Sequence, residues 1–213
     1  MKVELFRERG HGSNVYRLLF GKEALFVDAG RSASDLVFDQ MSIRGVLCTH
    51  GHFDHILHVD AMAEEFQVPI FACEKEIPMF TDSQKNASFL INTSLRINTK
   101  IIGLDSEQVL LPSFFSFSNT FDCTWTITVL HTPGHTDGSV CYFYEDQSGE
   151  PPILFSGDTV FKGSVGRTDI GGNIDELHSS IEKISRLPPE TIIYPGHGPS
   201  TTLAQEKSMN PYF

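Results

Sequence analysis

Three histidines and one aspartate stand within six residues of this chain, in the string His50-Gly51-His52-Phe53-Asp54-His55. Neutral imidazole nitrogen and carboxylate oxygen are common ligands of zinc and of similar first-row metal ions. Because these ligands lie so close together in the sequence, little additional ordering of the chain is needed for them to converge. The string therefore predicts a metal site rather than a solvated polar loop.

Three later segments share one layout, in which an apolar run ends, glycine follows and a potential ligand comes close behind. They are Leu130–His135, Leu154–Asp158 and Ile193–Gly198. Glycine lets the backbone approach a crowded site or adopt positive φ, and loops at strand ends commonly present functional groups. Each of these residues alone could be a turn residue. Together with the first string they indicate one convergent site.

The four strings resemble the motifs of the metallo-β-lactamase superfamily, in its glyoxalase II-like branch. They read Thr-His-x-His-x-Asp-His, Thr-Pro-Gly-His-Thr, Ser-Gly-Asp-Thr and Tyr-Pro-Gly-His-Gly, and the similarity runs from Phe26 to the end of the sequence. The resemblance implies an α/β fold, an αββα four-layer sandwich with the metal site at the edge between two mixed β-sheets. It also implies a single domain over residues 1–213.

The same resemblance implies a role for each ligand: His50, His52 and His135 on one metal, Asp54, His55 and His197 on a second, and Asp158 as the bridge. Seven ligands can hold two divalent ions and leave coordination positions open to water, as in catalytic sites. Zinc is the first expectation, and iron and manganese fit the same ligands. Asp28 is either a residue that orients the histidine loop or a turn residue at a strand end.

In the thioesterases that the chain resembles, a hydroxide that bridges the metals attacks a thioester carbonyl, and no Ser or Cys nucleophile is required. We therefore expect a binuclear metal-dependent hydrolase that cleaves S-lactoylglutathione or a related thioester to the thiol and a 2-hydroxy acid. Asp54 and Asp158 are its expected catalytic residues. Arg167 could bind a substrate carboxylate in a bidentate manner, or form an ion pair with Asp169 instead.

Other members of the superfamily offer alternative functions. The string Gly166-Arg167-Thr168-Asp169 also occurs in persulfide dioxygenase-like relatives, whose single iron would here be held by His50 or His52, His135 and Asp158. Such a set of two histidines and one carboxylate is typical of non-haem iron oxygen chemistry. A lactonase and a metal-binding protein without catalysis are further alternatives. A true β-lactamase is less expected, because the resembling β-lactamases lack the bridging aspartate and are exported.

The composition limits the classes of partner. The 213 residues carry a formal net charge of −11, so the chain should repel nucleic acids and anionic membranes. A small-molecule thioester is the expected partner. Neither a signal peptide nor a membrane span is apparent, and the four cysteines show no close paired spacing. These features predict a cytoplasmic protein with buried free thiols.

Hydrophobic patterns predict the elements that must position these residues. Strands are expected at 3–6, 14–20, 24–27, 45–49, 69–72, 124–130, 139–144, 152–155 and 191–194. Helices are expected from Ser32 or Ser34 to about Met41, and at 54–66, 174–185 and 201–208. The Phe-rich stretch 77–121 lacks one clear period. A helix near 84–96 with a loop over the active site is one interpretation, and a core or subunit contact is the other.

Overall fold

The computed structural model of the protein describes residues 1–36, 41–105, 107–110, 112–115 and 125–213. The chain divides into two compact units, Met1–Leu104 and Asp105–Phe213. Each unit contains one six-stranded sheet in which parallel and antiparallel pairs are mixed. The protein is therefore an α/β chain with two mixed sheets.

The sheet of the first unit has the strand order β1-β2-β3-β4-β5-β6. Its strands are β1 (Lys2–Phe6), β2 (Val15–Phe20), β3 (Glu23–Val27), β4 (Ser42–Leu47), β5 (Ile70–Cys73) and β6 (Ile101–Leu104). The strands β1, β2 and β3 pair antiparallel with one another, and the strands from β3 to β6 pair parallel. The helices α1 (Phe53–Ile56) and α2 (Val59–Phe66) follow β4. A buried core of Phe26, Val46, Ile70 and Met62 joins this sheet to α2.

Parallel pairing brings three loops of the first unit to one sheet edge. The strands β3, β4 and β5 are parallel neighbours, so their carboxyl ends lie side by side. Asp28 follows β3, the His50–His55 loop follows β4, and a 3-10 helix at Glu74–Thr81 follows β5. Loops at the carboxyl ends of parallel strands are a common place for binding sites in α/β sheets. Topology thus places Asp28 beside the histidine loop.

The sheet of the second unit has the order β14-β13-β10-β9-β8-β7. Its strands are β7 (Val109–Leu110), β8 (Trp125–His131), β9 (Val140–Asp146), β10 (Ile153–Gly157), β13 (Ile192–Pro195) and β14 (Thr201–Thr202), and β11 (Val160–Phe161) and β12 (Ser164–Val165) form a separate hairpin. Because β8 and β10 both pair antiparallel with β9, and β13 pairs parallel with β10, these three strands end at the same edge. His135, Asp158 and His197 follow them there.

The helix α3 (Ile174–Ser185) supports the loop that carries His135. The Asn173 side chain caps its first turn by accepting hydrogen bonds from the next amides. Gly134 has φ +128° and lies so close to α3 that a Cβ atom would be 2.3 Å from the Leu177 nitrogen. Ser180 Oγ also donates to the Pro133 carbonyl at 2.7 Å. Only glycine permits this close docking of the loop on the helix.

Several predicted elements are confirmed with small shifts in their ends, and others are wrong. The predicted helix at 54–66 is two helices, interrupted at Leu57 and His58. The predicted helix near 84–96 is absent. A short 3-10 helix at Ser88–Ile91 stands there between Ala87 and Asn92, which both have positive φ and so end any helix.

The helix predicted after Ser32 or Ser34 is only a 3-10 turn at Ala33–Asp35 among the described residues. Residues 37–40, together with Thr124, Cys123 and the phenylalanines at 117 and 121, lie outside the described residues. The terminal helix α4 (Leu203–Met209) begins two residues later than predicted, because Thr201 and Thr202 pair with β13 as β14. The strands β6, β7, β11 and β12 were not predicted, since runs of two to four residues show no clear period.

Two further expectations concern the cysteines and membranes. Cys48, Cys73 and Cys141 are buried free thiols, and burial raises the pKa of Cys141 to about 11. Within the described parts of the chain, none of the helices has the length and apolar character needed to cross a membrane.

Candidate metal centre

Asp28 connects the end of β3 to the histidine loop. Its side chain is buried, and Oδ2 lies 2.8 Å from His55 Nδ1. Its Oδ1 accepts a hydrogen bond from the Thr49 amide at 2.8 Å, and the Thr49 hydroxyl donates to Oδ2 at 2.9 Å. With this carboxylate accepting from Nδ1, His55 presents Nε2 to a metal, as in carboxylate–histidine–metal arrangements.

The three imidazoles of the loop lie close together. The ring centroids of His50 and His55 are 4.1 Å apart, and those of His50 and His52 are 5.0 Å apart. All three side chains are buried, with at most 6 % exposure. Asp54 is partly exposed, and its Oδ2 lies 3.9 Å from His55 Nε2. This spacing is near the roughly 3.4 Å that separates two ligands of one tetrahedral ion.

The second unit gathers the other three predicted ligands around one carboxylate. Asp158 Oδ2 lies 3.6 Å from His135 Nε2 and 3.7 Å from His197 Nε2. His135 Nδ1 is 2.7 Å from the carbonyl oxygen of Arg167. Because a carbonyl only accepts, Nδ1 must carry the proton and Nε2 the lone pair that a metal needs.

Sequence reasoning missed the part that the backbone of residues 166–167 plays. A Cβ atom on Gly166 would lie 1.8 Å from the Asp158 carbonyl oxygen and 3.0 Å from His135 Nδ1. Only glycine fits there, so the segment packs against both predicted ligands. The glycine before Arg167 was the available signal, because glycine often marks a close approach of the backbone.

The Arg167 side chain forms the ion pair that was the alternative to substrate binding. Its Nε lies 2.6 Å from Asp169 Oδ1, and its second nitrogen lies 2.5 Å from Oδ2. Both side chains are exposed. The hydrogen bonds from Arg167 lower the pKa of Asp169 from 3.8 to about 2.

The seven predicted ligands fit divalent metal ions by their chemistry. All of them belong to groups of histidine and aspartate residues that could hold a metal ion. Five imidazoles and two carboxylates form a mixed nitrogen and oxygen set suited to zinc, iron or manganese. The hydrogen bonds at His55 Nδ1 and His135 Nδ1 turn the other ring nitrogen of each toward a neighbouring aspartate.

Residues 9–197 match the family model of the metallo-beta-lactamase superfamily. The chain belongs to the metallo-β-lactamase superfamily. It is 31 % identical to a probable metallo-hydrolase of Streptococcus pyogenes, over 99 % of this chain and 90 % of the relative. It is 30 % identical to the hydroxyacylglutathione hydrolase GloC of Haemophilus influenzae, over 90 % of this chain and 87 % of that protein.

Solved structures place the chain in the same superfamily. A structure titled as the B3 metallo-β-lactamase BLEG-1 is similar with a TM-score of 0.85 and 36 % identity, over 99 % of both chains. TTHA1623 in a di-iron-bound form is similar with a TM-score of 0.73 and 28 % identity, over 94 % of this chain and 95 % of that one. The predicted superfamily and its α/β metallo-β-lactamase fold are confirmed. Together with the curated relatives, these findings make the chain a metal-dependent hydrolase of the superfamily.

Proposed function

We propose that this protein is a binuclear metal-dependent hydrolase that cleaves 2-hydroxyacyl thioesters such as S-lactoylglutathione. The observation that carries the choice of substrate is the similarity to the hydroxyacylglutathione hydrolase GloC over most of both chains. The substrate class therefore rests on a relative, whereas the metal chemistry rests on the residues of this chain.

The metal centre in this proposal uses all seven predicted ligands. His50, His52 and His135 would hold one ion, Asp54, His55 and His197 would hold the other, and Asp158 would be a ligand of both. The buried imidazoles and the spacing of Asp158 from His135 and His197 support this assignment. Divalent ions bound here would lower the pKa of water and polarise the substrate carbonyl.

The chain itself contributes the orientation of its ligands. The Asp28 carboxylate holds His55 at Nδ1, and the Arg167 carbonyl holds His135 at the same atom. Each contact fixes the tautomer, so that Nε2 is a lone-pair donor without any rearrangement of the ring. Burial of His50, His52 and His55 keeps bulk water from competing for these nitrogens. The site is therefore organised before the substrate arrives.

The test combines metal analysis with four substrate assays on the same purified protein. We expect two divalent ions per chain, release of thiol from S-lactoylglutathione, and no oxygen uptake. One iron per chain with oxygen uptake on glutathione persulfide would instead identify a persulfide dioxygenase. Faster hydrolysis of lactones than of thioesters would identify a lactonase.

Hydrolysis of β-lactams is a second candidate function. It is favoured by the 36 % identity to the B3 metallo-β-lactamase BLEG-1 over 99 % of both chains. The fourth assay therefore uses a chromogenic cephalosporin. A higher kcat/KM for the cephalosporin than for S-lactoylglutathione would replace the thioester proposal with this one.

Arg167 is proposed to bind an anionic part of the substrate when its ion pair with Asp169 opens. Replacing it, as in Arg167→Gln, should raise the KM for S-lactoylglutathione about two- to fivefold and leave kcat unchanged, as expected for an exposed charge pair. The change should also raise the pKa of Asp169 from about 2 toward its ordinary value of 3.8, because the hydrogen bonds from Arg167 are the main cause of the lowered pKa. The pair in the native protein is complete above pH 3.8 and is lost as the pH falls through about 2.

Steady-state kinetics and NMR titration of the carboxyl carbons measure the two effects separately. A normal KM together with a restored pKa would show that Arg167 only pairs with Asp169. Arg186→Gln is the matched control, because Arg186 is an exposed arginine paired with Glu182 on α3.

A further inference from the structure

Hydrogen bonds hold the backbone of the ligand loop, residues 49–55, at several points. The Thr49 amide donates to Asp28 at 2.8 Å. The Phe53 amide donates to the Asn86 carbonyl at 2.8 Å, and the Asp54 carbonyl accepts from the Ser13 amide at 3.0 Å. A loop whose backbone is already ordered loses less entropy when its side chains bind an ion. A contact that orders the loop between His50 and His52 should therefore increase the affinity for a metal ion.

Glu76 holds the loop at that point. Its Oε2 accepts a hydrogen bond from the Gly51 amide at 2.7 Å. Glu76 lies on the 3-10 helix Glu74–Thr81 that follows β5, and only 1 % of the residue is exposed. A hydrogen bond to a carboxylate is roughly twice as strong as one between neutral groups.

The loop packs directly on the segment that carries Glu76. A Cβ atom on Gly51 would lie 2.6 Å from Met79 Cβ and 3.2 Å from Glu76 Oε2. Any side chain at position 51 would push the loop away from this segment. Glycine and glutamate therefore form a close backbone-to-carboxylate contact between the first two histidines of the string.

Burial of a carboxyl group is costly unless hydrogen bonds compensate for the lost water. Asp28 and Glu76 are buried acids that accept from the amides on either side of His50, Asp28 from Thr49 and Glu76 from Gly51. Asp28 also contacts His55, and the Glu76 carboxylate accepts from the backbone between His50 and His52. Because the two acids bind the amides on both sides of His50, both hold the backbone that carries this ligand.

We propose that Glu76 is a positioning residue of the metal centre, which holds the Gly51 amide so that His50 and His52 are presented to the metal. This inference rests on the metal centre of the proposed function. It adds a residue from the 3-10 helix Glu74–Thr81, which lies outside the ligand motifs.

The test measures cobalt binding rather than hydrolysis. Metal-free protein is titrated with Co²⁺, and the visible absorption bands report the affinity and the ligand geometry. Glu76→Met keeps the length of the side chain but removes the acceptor, so we expect about 10- to 100-fold weaker binding and altered bands. Glu76→Gln keeps a carbonyl acceptor, so its bands should stay close to those of the wild type, with about three- to tenfold weaker binding. Glu74→Gln, an exposed glutamate on the same 3-10 helix, should behave as the wild type.

Each outcome decides a separate point. Wild-type affinity and bands in Glu76→Met would overturn the role of Glu76. If Glu76→Met does not fold, unchanged affinity in Glu76→Gln would overturn it instead. A wild-type chain that binds no Co²⁺ would overturn the metal centre and this inference with it. Cobalt binding without any thioester hydrolysis would contradict only the proposed substrate.

Discussion

Replacing Asp158 with alanine is expected to lower thioester turnover by more than about 100-fold, because loss of a direct ligand should exceed the 10- to 100-fold cost of losing a residue behind the ligands. Asp158 Oδ2 lies between the Nε2 atoms of His135 and His197, at 3.6 and 3.7 Å. Without this carboxylate, both histidines lose the anionic ligand that lies close to their Nε2 atoms. We also expect the variant to lose one or both metal ions per chain.

Turnover of S-lactoylglutathione and metal content by elemental analysis measure this effect on the same sample. Asp175→Ala is the matched control, because Asp175 is an exposed aspartate of the same unit, in the first turn of α3. Wild-type turnover and full metal content in Asp158→Ala would remove Asp158 from the proposed ligands. A similar loss in Asp175→Ala would point to general damage to the fold.

Replacing Asp28 with asparagine is expected to weaken metal binding about 10- to 100-fold. Asp28 has φ +60°, and asparagine tolerates this left-handed conformation better than most residues, so the backbone should persist. The asparagine amide nitrogen cannot accept a hydrogen bond. A single carbonyl oxygen must therefore replace the two carboxylate oxygens of Asp28, which accept from His55 and Thr49. Either His55 or Thr49 then loses its acceptor, and both contacts order the ligand loop.

The same change should lower the free energy of unfolding of the metal-free protein by about 1–3 kcal/mol, since a buried donor is left without an acceptor. Competition with a chromophoric chelator measures the metal affinity, and denaturant titration measures the stability. Asp35→Asn, at an exposed aspartate after β3, is the control. Unchanged affinity in Asp28→Asn would show that Asp28 is only a turn residue at the end of a strand.

The sequence by itself determined the superfamily and the residues proposed to bind metal. Those residues stand in short strings whose glycines, histidines and aspartates are close together, so their chemistry can be read without a structure. The longer strands and α3 could also be predicted, because the strands are runs rich in aliphatic and aromatic residues and the apolar residues of α3 follow a helical period. The short strands β6, β7, β11, β12 and β14 could not, since pairing with a neighbour rather than an internal pattern defines them.

The tertiary structure alone decided what stands behind the ligands. Glu76 lies 25 residues after Gly51, and the Arg167 carbonyl lies 32 residues after His135. Neither contact can be recognised in the sequence motifs. Every residue has a backbone carbonyl, and the sequence does not distinguish a buried glutamate from an exposed one. In this protein the first contact arises where the parallel strands β4 and β5 end at one edge of a sheet, and the second where Gly166 lets two backbones touch. They depend on which residues lie close together in the folded protein, and the order of residues along the chain does not specify this.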